Sequence, residues 1–124
     1  GAASWERDGL AWEPFSPATV AAYRARGRPI FIDFTAAWCV SCQVNELMVF
    51  RSEEVKATLK ERGFALLKAD WTNYDPLITQ TLAAFGRNGV PFYVIYGTGE
   101  QSPAVTLPEI ISPGIVLHAL EELP

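Results

Sequence analysis

The sequence predicts an α/β fold: a central mixed β-sheet flanked by helices and preceded by an N-terminal extension. Two observations carry this. Short apolar runs rich in β-branched and aromatic residues alternate with helical segments that open on Ser or on Ser-Pro and Asp-Pro pairs. The last two strand candidates flank the tight turn Gly97-Thr98-Gly99-Glu100, which places an antiparallel hairpin after the parallel strands. A chain of 124 residues holds one such domain and is too short for two.

Residues 1–15 are Trp-rich and irregular, and read as an extended arm lying against the domain that occupies 16–124. Ser16-Pro17 supplies an N-cap and a first-turn proline for a helix that stops at Gly27. Pro29-Ile30-Phe31-Ile32-Asp33-Phe34 reads as a strand buried on both faces. The next helix begins near Cys39, and Val40, Val44, Leu47 and Met48 form an apolar stripe of the kind that faces a core. Ser52 caps a second helical stretch ending at Gly63, and Phe64 to Asp70 is the next strand. Asp75-Pro76 starts a helix that ends near Gly86, and Pro91 to Tyr96 forms a third strand. A short strand near Ala104 to Leu107 completes the hairpin. Ser112-Pro113 opens the last helix, with Val116, Leu120 and Leu123 on its apolar face. Trp5, Trp12 and Trp71 are read as packing residues, and His118 as a solvent-facing or core-edge histidine.

Composition excludes several function classes. Apolar residues make up 49% and charged residues 19%, which fits a globular chain and not a disordered one. The formal net charge is −4 and no basic stripe is visible, so nucleic acid is not an expected partner. No apolar run approaches the roughly 20 residues that span a bilayer. The start Gly1-Ala2-Ala3-Ser4-Trp5 lacks the basic segment and apolar core of a signal peptide. An excised domain or processed product, soluble and monomeric, is the expectation.

The cysteine count is two, at Cys39 and Cys42, directly after a strand and opening a helix. Residues i and i+3 on one helical turn are close enough to form a disulfide. So short a loop constrains little unfolded-chain entropy, which makes it a poor structural staple. Zinc requires four ligands, and beyond the pair only His118 offers help. The helix start offers free N–H groups and a macrodipole that stabilise a thiolate at the first cysteine. Cys39 is therefore the expected exposed nucleophile and Cys42 the shielded resolving thiol. The redox-active pair needs no organic cofactor or metal.

The segment Phe31-Ile32-Asp33-Phe34-Thr35-Ala36-Ala37-Trp38-Cys39-Val40-Ser41-Cys42 resembles the active-site segment of thioredoxin-fold proteins, and Gly89-Val90-Pro91 resembles their cis-proline loop. Thioredoxin carries Gly-Pro between its cysteines, whereas this chain carries Val-Ser. The run from Trp38 to Glu46 is more similar to the C-terminal periplasmic domain of the DsbD/ScsB transmembrane reductase family, and Leu107 to Gly114 resembles ScsB-like sequences. The resemblance implies a thioredoxin-like fold and a protein-disulfide reductase. It also implies a membrane-embedded part of the same polypeptide as electron donor, and a periplasmic thioredoxin-like or N-terminal domain as acceptor.

Three further residues bear on the thiols. By pattern alone, Asp33 is either a strand-end carboxylate reaching solvent or a buried one beneath the active site. Glu46 shares a helical stripe with Cys39 and Cys42, or is an ordinary surface glutamate. The resemblance favours the functional alternative for both, because the family has an Asp and a Glu at these offsets. Two such carboxylates would oppose a thiolate, raise the thiol pKa and pass protons during resolution. Lys68 is a counter-ion for Asp33 or a lysine whose amine reaches water. Trp38 is expected to shield the Cys39 sulfur. With Val40, Ser41, Val90 and Pro91 it forms the expected substrate-binding rim, and the resemblance implies a cis bond at Pro91 that leaves the Val90 backbone free to pair with a substrate strand. A DsbA-like oxidase or isomerase and a non-catalytic binding module are the rival functions.

Overall fold

The computed structural model describes residues 4–123, and the first three residues of the expected arm lie outside it. Its strands are β1 (Trp5–Arg7), β2 (Leu10–Pro14), β3 (Ile30–Thr35), β4 (Ala65–Asp70), β5 (Phe92–Tyr96) and β6 (Val105–Thr106). The helices are α1 (Pro17–Ala25), α2 (Val40–Val49), α3 (Glu53–Glu61), α4 (Pro76–Ala84) and α5 (Pro113–Glu121). The strands form one mixed sheet in the order β1-β2-β4-β3-β5-β6. β3 runs parallel to β4, and β5 lies antiparallel to both β3 and β6.

The caps read from the sequence perform as their chemistry requires. Ser16, Ser52, Asp75 and Ser112 each accept a backbone N–H from the first turn of α1, α3, α4 and α5. Strand alternation then divides the core in two. Phe31, Leu66, Tyr93 and Ile95 point to one face and pack against Val49 and Phe50, Val55 and Leu59 of α3, and Val116 and Leu120 of α5. Ile30, Ile32, Phe34, Leu67 and Val94 point to the other, toward Ile78 and Leu82 of α4 and Val20 and Tyr23 of α1.

The N-terminal segment is extended, as expected, but it is not irregular. Asp8 and Gly9 both have positive φ, 52° and 80°, which suits a tight two-residue hairpin turn. β1 pairs antiparallel with β2, and β2 pairs parallel with β4 through Trp12↔Leu66 and Pro14↔Lys68. Leu10 and Trp12 are fully buried in the first core cluster, with the Trp12 ring edge-on to Phe50 at 5.2 Å. An alternating Leu10/Trp12 pair within a Trp-rich stretch is a short signal, and the tertiary pairing makes it a strand. The segment therefore folds with the domain. Trp12→Ala should cost about 3–5 kcal/mol of unfolding free energy. A urea midpoint unchanged from wild type would show that the hairpin is an appendage.

Candidate active site

The site is built where β3 delivers the chain to α2. Ala36 O accepts the Cys39 N–H at 3.1 Å and the Gln43 Nε2–H at 3.2 Å, which pins the loop to the first turn of the helix. Cys39 is the N-cap of α2, and its Sγ accepts the Cys42 N–H at 3.1 Å. The two cysteines are joined in a disulfide with Cα atoms 5.2 Å apart. Thr72, in the loop after β4, holds the outer side: its Oγ1 accepts the Ala37 N–H and its carbonyl accepts the Trp38 indole N–H. Trp38 stacks on Tyr74 at 5.8 Å. The Val90–Pro91 bond is cis, and Val90 packs against the cluster of Ala36, Cys39 and Cys42. Val40 is 77% exposed and Ser41 partly so.

Cys39 itself is only 7% exposed, against the expectation of an exposed thiol. Ala36 and Val90 flank it, and the bond to Cys42 turns its sulfur toward the helix.

Beneath α2 the sheet presents a transverse row. Register aligns Pro14 with Lys68, Lys68 with Asp33, and Asp33 with Tyr93. Alternation turns the side chains of this row toward the helix that carries the cysteines, where Asn45 and Glu46 meet them. Lys68 Nζ donates to Asp33 Oδ2 at 2.9 Å and to Glu46 Oε2 at 2.7 Å, and lies 4.3 Å above the Trp12 ring. Of the alternatives for these residues, the solvent-facing ones therefore do not hold: Asp33 and Glu46 are buried, and the Lys68 amine is paired. Burial pushes the Asp33 carboxyl above its ordinary value, with Glu46 adding to the rise, and Lys68 and Arg7 only partly offset it. Burial alone would lower Lys68; its two carboxylate partners outweigh that and hold it above 10.5. The Tyr93 phenol is also pushed up by burial, and stays neutral.

The apolar stripe of the helix and the packing of Trp5 both need correction. Val40, Val44, Leu47 and Met48 face outward, all of them exposed. The buried stripe of α2 is instead Cys42, Asn45, Glu46 and Val49, which has the same helical spacing. Two polar residues can lie on that inner face because each is paired there. Trp5, expected to pack, is 41% exposed beside an open cleft of about 510 Å³ between the N-terminal hairpin and α2.

Sequence reasoning missed Asn45 and Arg7. Asn45 Nδ2 donates to the Tyr93 hydroxyl at 2.9 Å and to Glu109 O at 2.7 Å, and its Oδ1 accepts the Ile111 N–H at 3.3 Å. It thereby latches the cysteine helix to β5 and to the loop before α5. The signal was a second polar residue beside Glu46, on a helix whose apolar stripe was assigned to the wrong side. Among the described residues, no group of three or more His, Cys, Asp or Glu side chains is placed to hold a metal ion.

The raised Asp33 pKa fixes the sign of a pH effect. The folded chain binds this proton more tightly than the unfolded chain, so the stabilisation is complete below about 3.8 and is lost as pH rises through the folded value. Asp33→Asn should therefore gain unfolding free energy relative to wild type as pH rises across that window, then level off. Urea midpoints of both proteins between about pH 4 and 8 check this; a difference that does not change with pH would contradict it.

The model of the family described as thioredoxin-like matches residues 11–98. The thiol:disulfide interchange protein DsbD of Vibrio cholerae is 35% identical over 81 residues, covering 64% of this chain and 13% of that protein. DsbD 2 of Pseudomonas aeruginosa is 33% identical over 101 residues, 80% of this chain and 17% of its own length. The chain thus spans only about an eighth to a sixth of the length of these relatives. The oxidised DsbD C-terminal domain of Neisseria meningitidis superposes with a TM-score of 0.71 at 20% identity, covering 90% of this chain and 97% of that one. A thioredoxin from Thermus thermophilus gives 0.70 at 22% identity, covering 90% and 84%. These two establish the fold. A Cys39–Cys42 disulfide opening a helix of that fold, in a chain similar to DsbD proteins, is the equipment of a thiol–disulfide oxidoreductase. With the family model matching from β2 through β5, the chain belongs to the thioredoxin-like family.

Proposed function

We propose that this domain relays electron pairs by dithiol–disulfide exchange. The donor is a membrane-embedded part of a longer polypeptide, and the acceptor is a periplasmic thioredoxin-like or N-terminal domain. The observation that carries the reading is the Cys39 sulfur at the N-cap of α2, accepting the Cys42 N–H. A thiolate there receives charge-assisted hydrogen bonding and the favourable end of the helix dipole. The names of the DsbD relatives support the interchange chemistry, and their much greater length leaves room for a donor.

In the forward direction the Cys39 thiolate attacks an acceptor disulfide. A Cys39–acceptor S–S bond forms, and the acceptor's second sulfur leaves as a thiolate and takes a proton. Cys42 then loses its proton and attacks the Cys39 sulfur, restoring the Cys39–Cys42 bond and releasing the acceptor's first sulfur. The first sulfur also leaves as a thiolate and is protonated. Two electrons have moved to the acceptor, and the two protons its thiols take up balance the one lost by Cys42 and the one lost earlier when the Cys39 thiolate formed. Reduction by the donor is the same sequence reversed. Asp33 and Glu46 act as the proton-holding groups for the Cys42 step, with Lys68 governing their charge. Trp38, Val40, Ser41 and the Val90–Pro91 edge form the rim that meets the partner. The outer face of α2 continues this rim without a charged side chain, because the helix's one ionisable residue apart from the thiol, Glu46, is buried.

In the reduced protein, iodoacetamide should modify Cys39 well before Cys42. Cys42→Ala should accumulate a mixed disulfide with its partner and lower insulin reduction in the presence of dithiothreitol about tenfold or more. Peptide mapping with Cys42 labelled first would reverse the roles. A wild-type domain that does not accelerate insulin reduction would remove the exchange reading.

A further inference from the structure

Four charges meet at the floor of the site. Glu46 divides its carboxylate between two cations: Oε2 takes the Lys68 ammonium at 2.7 Å, and Oε1 lies 3.5 Å from Arg7 Nε. Oε1 is buried and accepts no hydrogen bond among the described residues. Arg7 comes from β1, on the hairpin that the fold lays beside α2. Trp5, Arg7, Gln43, Glu46 and Lys68 line one cleft between hairpin and helix. The hairpin tip is held there by Arg51 Nε, 3.6 Å from Asp8 Oδ1. With Asp33 and Glu46 ionised, Lys68 alone leaves the cluster with one net negative charge, and Arg7 brings it to neutrality.

We propose that Arg7 is a positioning residue for the exchange reaction: from the N-terminal hairpin it holds the Glu46 carboxylate and sets how much negative charge the Cys39–Cys42 dithiol faces. The inference rests on the reading of that pair as an exchange site. The groups that face Glu46 are Lys68 on β4, Asp33 on β3, Arg7 on β1 and the Tyr93 phenol on β5, and Cys42 lies one turn before it on the buried stripe of α2; Asp70 lines the same cleft. Arg7 is half exposed, so its influence is screened by salt, unlike that of the enclosed Lys68.

Thiolate absorbance in the far ultraviolet, followed against pH in the reduced 124-residue chain at low ionic strength, tests this. Arg7→Met should raise the midpoint of the Cys39 titration by about half a pH unit, and Arg7→Lys should restore it. In a Glu46→Gln background the Arg7→Met shift should vanish. No shift in the wild-type background would overturn the proposal. An equal shift in both backgrounds would do the same, because Arg7 would then act as a distant charge and not through Glu46. Insulin reduction by the wild-type chain separates this from a failure of the exchange reading, since a chain active toward insulin with an inert Arg7 loses only the present proposal.

Discussion

The structure turns on one ammonium group. Lys68 Nζ lies between the Asp33 and Glu46 carboxylates, over the face of the Trp12 ring and beneath the helix that carries both cysteines. Three charged groups in so dry a place do not favour folding. Desolvating each costs several kcal/mol, and the mutual attraction recovers that only with close geometry. Packing alone would be served as well by apolar residues of the same shape. The distances of 2.7 and 2.9 Å are what make the arrangement tolerable, and Glu46, one turn after Cys42 on the buried stripe of α2, ties it to the helix that carries the cysteines.

Topology explains why these residues meet. Lys68 and Asp33 are 35 residues apart but register partners on adjacent parallel strands, and Tyr93 joins them from the antiparallel neighbour. A strand alternates its faces, so the partners of Phe31 and Leu66 on the helix-facing side are residues 33 and 68. The same parity sends the intervening Ile32 and Leu67 to the α1/α4 side, where the core is wholly apolar. α2 answers with its own polar stripe. Asn45 ties the helix to Tyr93 and to the loop before α5, and Glu46 ties it to Lys68, so the cysteine helix is held at a fixed height over the sheet. The N-terminal hairpin borders the remaining side through Trp12 and Arg7.

Much of this was legible in the residues. Ser16, Ser52, Asp75 and Ser112 marked helix starts because a cap is a local contract between one side chain and the next turn. The Cys39–Cys42 spacing after a strand carried the chemistry for the same local reason, and the family resemblance singled out Asp33, Glu46 and Val90-Pro91. What was hidden depends on partners distant in sequence. The apolar periodicity of α2 pointed to Val40, Val44, Leu47 and Met48 as its inner face, yet the polar stripe is buried because the sheet supplies Lys68 and Tyr93 beneath it. Hydrophobic pattern alone does not encode those partners. The hairpin of residues 5–14 was equally obscure, since three- and five-residue strands leave little periodicity and take their form from pairing with β4.

The central claim is that Lys68 governs the charge the dithiol faces, by neutralising carboxylates that would otherwise oppose a thiolate. The most direct measurement is the pH titration of thiolate absorbance in reduced Lys68→Met beside wild type. Methionine preserves much of the side-chain length and removes the ammonium, leaving Asp33 and Glu46 to repel the forming thiolate. The account predicts a Cys39 midpoint raised by roughly one pH unit or more. An unchanged midpoint in a folded variant would contradict it and reduce the buried cluster to a structural feature of the sheet.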